Sequence, residues 1–209
     1  MSVVETTSHQ TLKSTNLTPK NQIAIFASGN GSNFEAIAHA CAENRLNAKV
    51  ALLVCDNPDA FVVQRAKKFD IPVFEIQPKN YTTKADYETE IMQILKKYNI
   101  DLICLAGYMR LVSDVLLNEY EGKIINIHPS LLPAFKGLNA IQQAFEYGVK
   151  LTGVTTHFVD KTMDGGKIIE QVAVSAENCT LEELETRIHA VEHELYVNTI
   201  HKLQTHYQL

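Results

Sequence analysis

The chain has 209 residues, 45% hydrophobic and 21% charged, which is the make-up of a folded globular protein and excludes a disordered one. Its net charge of −5, from 19 Lys and Arg against 24 Asp and Glu, argues against a general nucleic-acid binder, which needs a basic surface. No window holds the ~18 uninterrupted apolar residues of a membrane span.

Residues 1–20 are polar and rich in Ser and Thr. They contain no apolar stretch of the secretory kind, and Glu5 with the lack of Arg speaks against organelle targeting. They read as a flexible extension ahead of a single domain over residues 21–209. Within it, residues 22–28 (QIAIFAS) form a strand candidate, and residues 33–44 carry Phe34, Ile37, Ala38 and Cys41 at helical spacing. Residues 49–55 (KVALLVC) are a continuous apolar run, as expected for a strand covered on both faces. A helix over 60–69, a short strand over 73–76 and an amphipathic helix over 84–98 follow. Next come a buried strand over 101–106 (DLICLA), a short helical segment and a strand over 123–127 (KIINI).

This order predicts an α/β fold, a Rossmann-like open and mostly parallel sheet with helices on both faces. Residues 153–159 (GVTTHFV) and 167–174 (KIIEQVAV) alternate as strands across a turn at 161–166, which predicts a hairpin-like addition. Residues 180–207 close the chain as a long C-terminal helix, with Thr180 as N-cap and Glu183 completing a capping box. Cys41, Cys55, Cys104 and Cys179 are far apart and form no CxxC pair, so free thiols in a reducing cytoplasm are favoured over disulfides or zinc.

The turn Ser28-Gly29-Asn30-Gly31-Ser32-Asn33 joins the first strand to the first helix. Glycines there let the backbone approach a ligand, and the helix start offers unpaired N–H groups, which suit a phosphate. A dinucleotide fingerprint needs a third glycine where Phe34 stands, although Asp56 ends the second strand about where a ribose-binding acid would be. A nicotinamide site, a single-phosphate site and a plain turn capped by Ser32 or Asn33 all remain open from these residues.

Asn126 and His128 lie two apart at the end of a strand, so their side chains share a face. Carboxyl ends of strands are where open α/β sheets bind ligands. An amide donor beside an imidazole suits the polarisation of a carbonyl oxygen. Asp164, in Met163-Asp164-Gly165-Gly166, would raise the pKa of His128 and hold its orientation if the turn carries it inward. The other reading is that Asp164 merely opens a hairpin turn and His128 is an ordinary loop residue. His157 falls in GVTTHFV, facing either the same cleft or the core. His189 and His193 have the i, i+4 spacing of a metal pair, but no HExxH and no third ligand accompany them, so a structural helix face is favoured and no metal is expected.

Together these segments resemble the folate-dependent phosphoribosylglycinamide formyltransferases of the formyltransferase family. The resemblance runs from about Gln22 to Ile200. It is carried by SGNGSNFEAI (28–37), LAGYMRLVS (105–113), INIHPSLLPAFKG (125–137), GVTTHFV (153–159), MDGG (163–166) and the pair Glu192-His193. It implies transfer of a formyl group from the cosubstrate 10-formyltetrahydrofolate to the glycinamide amine, in the third step of purine synthesis. That transfer needs neither a metal nor a covalent enzyme intermediate. By the same resemblance, Asn126 and His128 would stabilise the oxyanion and Asp164 would assist His128 and relay protons. Gly31, Ser32 and Asn33 would bind the substrate phosphate and Glu192 the glycinamide amine. The folate would lie against Met109, Arg110, Leu111, Val112 and Asn126, with Lys84 where some members have an arginine. Lys84 keeps that charge but loses the bidentate fork. Lys136 and Lys167 stand where prolines are common.

Formyltetrahydrofolate deformylase, a hydrolase with the same Asn, His and Asp, is the nearest rival. It typically carries an extra amino-terminal regulatory domain for which residues 1–20 are too few. Methionyl-transfer-RNA formyltransferase would need a further carboxy-terminal domain. A noncatalytic folate- or nucleotide-binding module is disfavoured by the presence of all three polar candidates. Small-molecule substrates are expected, with no nucleic-acid or membrane partner, in a monomer or homodimer.

Overall fold

The computed structural model describes residues 20–206, so the proposed extension lies, but for Lys20, outside the described residues. The elements in chain order are β1 (Asn21–Ala27), α1 (Ser32–Ala42), β2 (Ala48–Cys55), α2 (Phe61–Lys68), β3 (Val73–Glu75), α3 (Lys84–Lys97) and β4 (Leu102–Leu105). They continue with α4 (Asp114–Glu119), β5 (Ile124–His128), α5 (Ala140–Tyr147), β6 (Leu151–Phe158), β7 (Ile168–Ser175) and α6 (Leu181–His206). The expected elements are all present, and α5 is additional.

The strands form one sheet in the order β3-β2-β1-β4-β5-β6-β7. β1 to β5 run parallel; β6 pairs antiparallel with β5, and β7 with β6. The expected hairpin-like addition is therefore the β6–β7 edge. Strand order reverses between β1 and β4, and at such a switch point the loops past the carboxyl ends diverge and leave a crevice.

Side chains alternate across the sheet because a strand has a period of two. Ile23, Ile25 and Ala27 of β1 face a core shared with α1, α2, α5 and α6. Ala24 and Phe26 face a second core under α3 and α4. β2 breaks this alternation: Ala51 and the adjacent Leu52 both face the second core. The register shift between Ile23 and Ala24 of β1 explains it, since a bulge gives β2 one extra residue there.

The long helix is pegged to the middle of the sheet. Tyr196 is fully buried, and its hydroxyl lies 2.9 Å from the Leu105 carbonyl and 3.1 Å from that of Ile125. Thr156 of β6 and Thr199 of α6 join their buried hydroxyls at 2.8 Å. The capping box forms as expected: Glu183 N donates to Thr180 Oγ1 at 3.2 Å and Thr180 N to Glu183 Oε2 at 2.7 Å. No described helix is long and apolar enough to cross a membrane.

Candidate active site

The three loops past β1, β4 and β5 meet at the switch point. In the first, Gly31 sits at the N-cap of α1 with φ 78° and no side-chain cap, so neither Ser32 nor Asn33 caps this helix. A Cβ at Gly31 would overlap the Val62 side chain, which brings α2 hard against the turn. Arg65 of α2 braces the turn from outside, donating from Nε to Asn30 O and from Nη2 to Asn30 Oδ1, each at 3.0 Å, and pairing with Glu35. The first amides of α1 are thereby presented in a fixed direction, the arrangement an anion requires.

α6 completes this end. Asn33 Nδ2 points at Glu192 Oε2 at 3.4 Å, and the same oxygen accepts from His189 Nδ1 at 2.8 Å. Four residues expected on the phosphate and glycinamide side, Gly31, Ser32, Asn33 and Glu192, are thus brought together. Asn33 Oδ1 and His193 Nε2 are buried without a hydrogen-bond partner among the described residues. His189, for which the sequence favours a structural helix face over a metal pair, is the partner of Glu192. That hydrogen bond and the carboxylate's charge hold the His189 pKa above its ordinary value of 6.5. A raised folded pKa gives stability that is complete below the unfolded pKa and is lost as pH rises through the folded one. The Tm difference between the protein and His189→Ala is therefore expected to be larger at about pH 6 than at about pH 9, as thermal denaturation at both pH values would read.

At the centre, β5 and β6 pair Asn126 with His157 and His128 with Thr155. His157 is buried, and burial lowers its pKa, so the ring is neutral. Its Nδ1 lies 2.8 Å from the Phe158 carbonyl and must carry the proton. Nε2 is then an acceptor, and Asn126 Nδ2 donates to it at 3.1 Å. His157 therefore belongs to the cleft and sets the direction of the Asn126 amide. The sequence left its face undecided, because only the β5–β6 register tells which way it points.

His128 is nearly buried and lies between two oxygens. Nε2 donates to the Phe135 carbonyl at 2.8 Å, and Nδ1 stands 3.5 Å from Asp164 Oδ2. Both ring nitrogens face oxygen acceptors. Asp164 Oδ2 also accepts from Gly137 N at 2.7 Å, and Oδ1 is 4.0 Å from His157 Nε2. The turn therefore carries the carboxylate inward, against the plain-hairpin reading. Asp160 supports it from below, its Oδ1 accepting from Thr162 N at 2.7 Å and Thr162 Oγ1 at 2.5 Å. Thr155, opposite His128, fixes the loop after β5: its hydroxyl donates to Ser130 O at 2.7 Å and accepts from Leu132 N at 3.0 Å. No local motif announces that role.

The loop after β4 is joined to the glycine turn. Ser28 N donates to Gly107 O, and Met109 N to Ser28 Oγ, both at 3.0 Å. At its far end, Ser113 N donates to the buried Glu88 carboxylate at 2.9 and 3.1 Å, and Ser113 Oγ donates to it as well. Lys84 stands one turn before Glu88, its Nζ 3.9 Å from the carboxylate that holds Ser113. Met109 and Leu111 are 64% and 54% exposed. The Val112 side chain is 9% exposed and packs in the second core, so it supports the loop from beneath. Among the described residues no group of three or more His, Cys, Asp or Glu is placed to hold a metal ion.

The family model described as formyl transferase matches residues 21–200 of the chain. The phosphoribosylglycinamide formyltransferase of Bacillus subtilis is 54% identical over 183 residues, which span 87% of this chain and 94% of that protein. The human trifunctional purine biosynthetic protein adenosine-3 is 36% identical over 178 residues; they span 85% of this chain but only 18% of that protein. Among solved structures, phosphoribosylglycinamide formyltransferase from Bacillus halodurans is 55% identical and superposes with a TM-score of 0.86, covering 90% of this chain and 97% of that one.

Proposed function

The chain belongs to the formyl transferase family, and from that membership we propose that it transfers the formyl group of 10-formyltetrahydrofolate to the amine of phosphoribosylglycinamide in purine biosynthesis. The observation that carries the reading is the Asp164 carboxylate 3.5 Å from the imidazole of His128, with Asn126 two residues earlier on the same strand face.

The chemistry follows from what each group offers. The amine lone pair attacks the formyl carbon, and the carbonyl π pair moves onto oxygen. Asn126 supplies a hydrogen-bond donor to that oxygen, and His128 supplies its Nε2–H when the Phe135 carbonyl that accepts it here yields to the formyl oxygen. Asp164, its carboxylate 3.5 Å from His128 Nδ1, orients the ring and sets a negative charge beside it. Collapse of the tetrahedral intermediate reforms the carbonyl and breaks its bond to the folate nitrogen, which takes up the proton given by the attacking amine. His128 and Asp164 stand where they can relay that proton. The amides of Gly31, Ser32 and Asn33 hold the phosphate, and the Glu192 carboxylate receives the amine as an ammonium and takes one proton from it, which frees the lone pair that attacks. Met109, Arg110, Leu111 and Lys84 receive the folate, and Val112 shapes the loop that carries them. The cytoplasm is the setting in which this reaction and the free cysteines are both at home.

The test is a formyl-transfer assay with and without phosphoribosylglycinamide. Loss of the folate formyl group only when the amine is present is expected; acceptor-independent release of formate would indicate a deformylase instead. Glycinamide riboside, which lacks the phosphate, is expected to lose about 10²-fold in kcat/KM, the worth of one or two charge-assisted hydrogen bonds. Equal efficiency of the two acceptors would remove the phosphate assignment at Gly31–Asn33.

A further inference from the structure

We propose that Asp56 is a positioning residue for the folate side of the site, acting by holding the Arg110 guanidinium. This rests on the formyl-transfer reading. Asp56 directly follows β2, beside the switch point, where a dinucleotide enzyme keeps the acid that takes ribose hydroxyls. Here that acid is engaged elsewhere. Its Oδ2 lies 2.5 Å from Arg110 Nε, and its side chain is 6% exposed against 44% for Arg110. Its other oxygen, Oδ1, has no hydrogen-bond partner among the described residues and no surface open to water. A ribose hydroxyl has no free, accessible oxygen there to bind.

The contact is directional. Bonding through Nε turns the guanidinium sideways and leaves the two terminal nitrogens for a second acceptor. The backbone on either side is already fixed, by Ser28 Oγ at Met109 and by Glu88 at Ser113. With Asp56 in place, the segment presents an oriented cationic fork between the exposed side chains of Met109 and Leu111. That surface suits a ligand with an apolar aromatic body and a carboxylate tail, which describes the benzoylglutamate part of a folate. A cavity of about 420 Å³ opens beside the pair, with Lys79 on its wall as a second cation.

The test measures tetrahydrofolate binding by calorimetry alongside separate KM values for the two substrates. Asp56→Asn keeps the shape and removes the charge. It is expected to weaken tetrahydrofolate about fivefold, the scale of a half-exposed ion pair, with kcat and the KM for the amine within about twofold. The loss is expected to vanish in an Arg110→Gln background and to persist in a Lys79→Gln background, since Arg110 and not Lys79 is the group being held. Tetrahydropteroate, which lacks the glutamate, is expected to bind both proteins alike. Arg110→Lys keeps the charge without the fork and is expected to match Asp56→Asn, so the test survives if the latter fails to fold. An undiminished effect of Asp56→Asn in the Arg110→Gln background would overturn the proposal, as would an equal rise in the KM for the amine. Wild-type protein that binds tetrahydrofolate but transfers no formyl group would overturn the formyl-transfer reading and leave the Asp56 role standing.

Discussion

Asp164→Asn is expected to lower kcat by about 10²–10⁴-fold, with the KM of either substrate changed by no more than about threefold. The substitution isolates charge from shape. Asp164 Oδ2 accepts from Gly137 N at 2.7 Å and faces His128 Nδ1 at 3.5 Å. An asparagine can place its carbonyl oxygen at the same point and keep both contacts. What it cannot supply is the negative charge beside the imidazole. That charge matters most when the formyl oxygen becomes an anion and the imidazole must donate to it, so the loss falls on the transition state and not on ground-state binding. The Tm is expected to stay within a few degrees because the Gly137 bond is retained. Steady-state kinetics with both substrates varied would check this. Unchanged kcat would remove Asp164 from the mechanism, and a rise in KM matched by a fall in Tm would make it a structural residue of the turn.

The parts of this site were legible from sequence to different degrees, and the difference is one of range. Strands such as β2 and β4 announce themselves by unbroken apolar runs, because a parallel strand is covered on both faces. The Asn126-x-His128 spacing and the Gly165-Gly166 pair are also local, and each points to a special geometry without a partner. Their meeting is not local. It depends on β6 pairing antiparallel with β5, which sets His157 opposite Asn126 and brings the turn beyond β6 back over His128. The same register decides that His157 faces the cleft, which alternation within GVTTHFV leaves open. α5 was hidden because its N-cap, Asn139, is left-handed and makes no side-chain cap, and because its buried face is the modest set Ala140, Ile141 and Ala144. The packing of the Val112 side chain was not legible, because membership of a binding loop does not say which of its side chains points down into the core. Asp56 was the most misleading. Its place after the second strand suggests ribose, and only a contact 54 residues away shows that Arg110 holds it.

Gly166→Ala is expected to damage stability and catalysis together, because Gly166 lies where the turn meets the end of β6. A Cβ there would overlap the Phe158 carbonyl oxygen and stand 2.8 Å from the carbonyl carbon. Those atoms are backbone and have no rotamer by which to move aside. The Phe158 carbonyl also accepts the Nδ1 proton of His157, and Phe158 N donates to Lys167 O at 2.9 Å. Relief of the overlap must therefore shift either the carbonyl that sets the His157 tautomer or the turn that carries Asp164. Overpacking of this kind costs about 1–3 kcal/mol, a fall in Tm of roughly 2–12 °C for a chain of this size. A displacement near 1 Å at the carboxylate is enough to lower kcat by about 10²-fold. Gly29 offers the control, since nothing lies within 4 Å of a Cβ built on it. Gly29→Ala is expected to leave the Tm unchanged or raised by the reduced freedom of the unfolded chain. Thermal denaturation of the two variants side by side, with kcat measured for Gly166→Ala, checks the argument. A Gly166→Ala protein with native Tm and full turnover would mean that the turn has slack the contacts do not allow, and that Asp164 is not held by the close approach of Gly166 to Phe158.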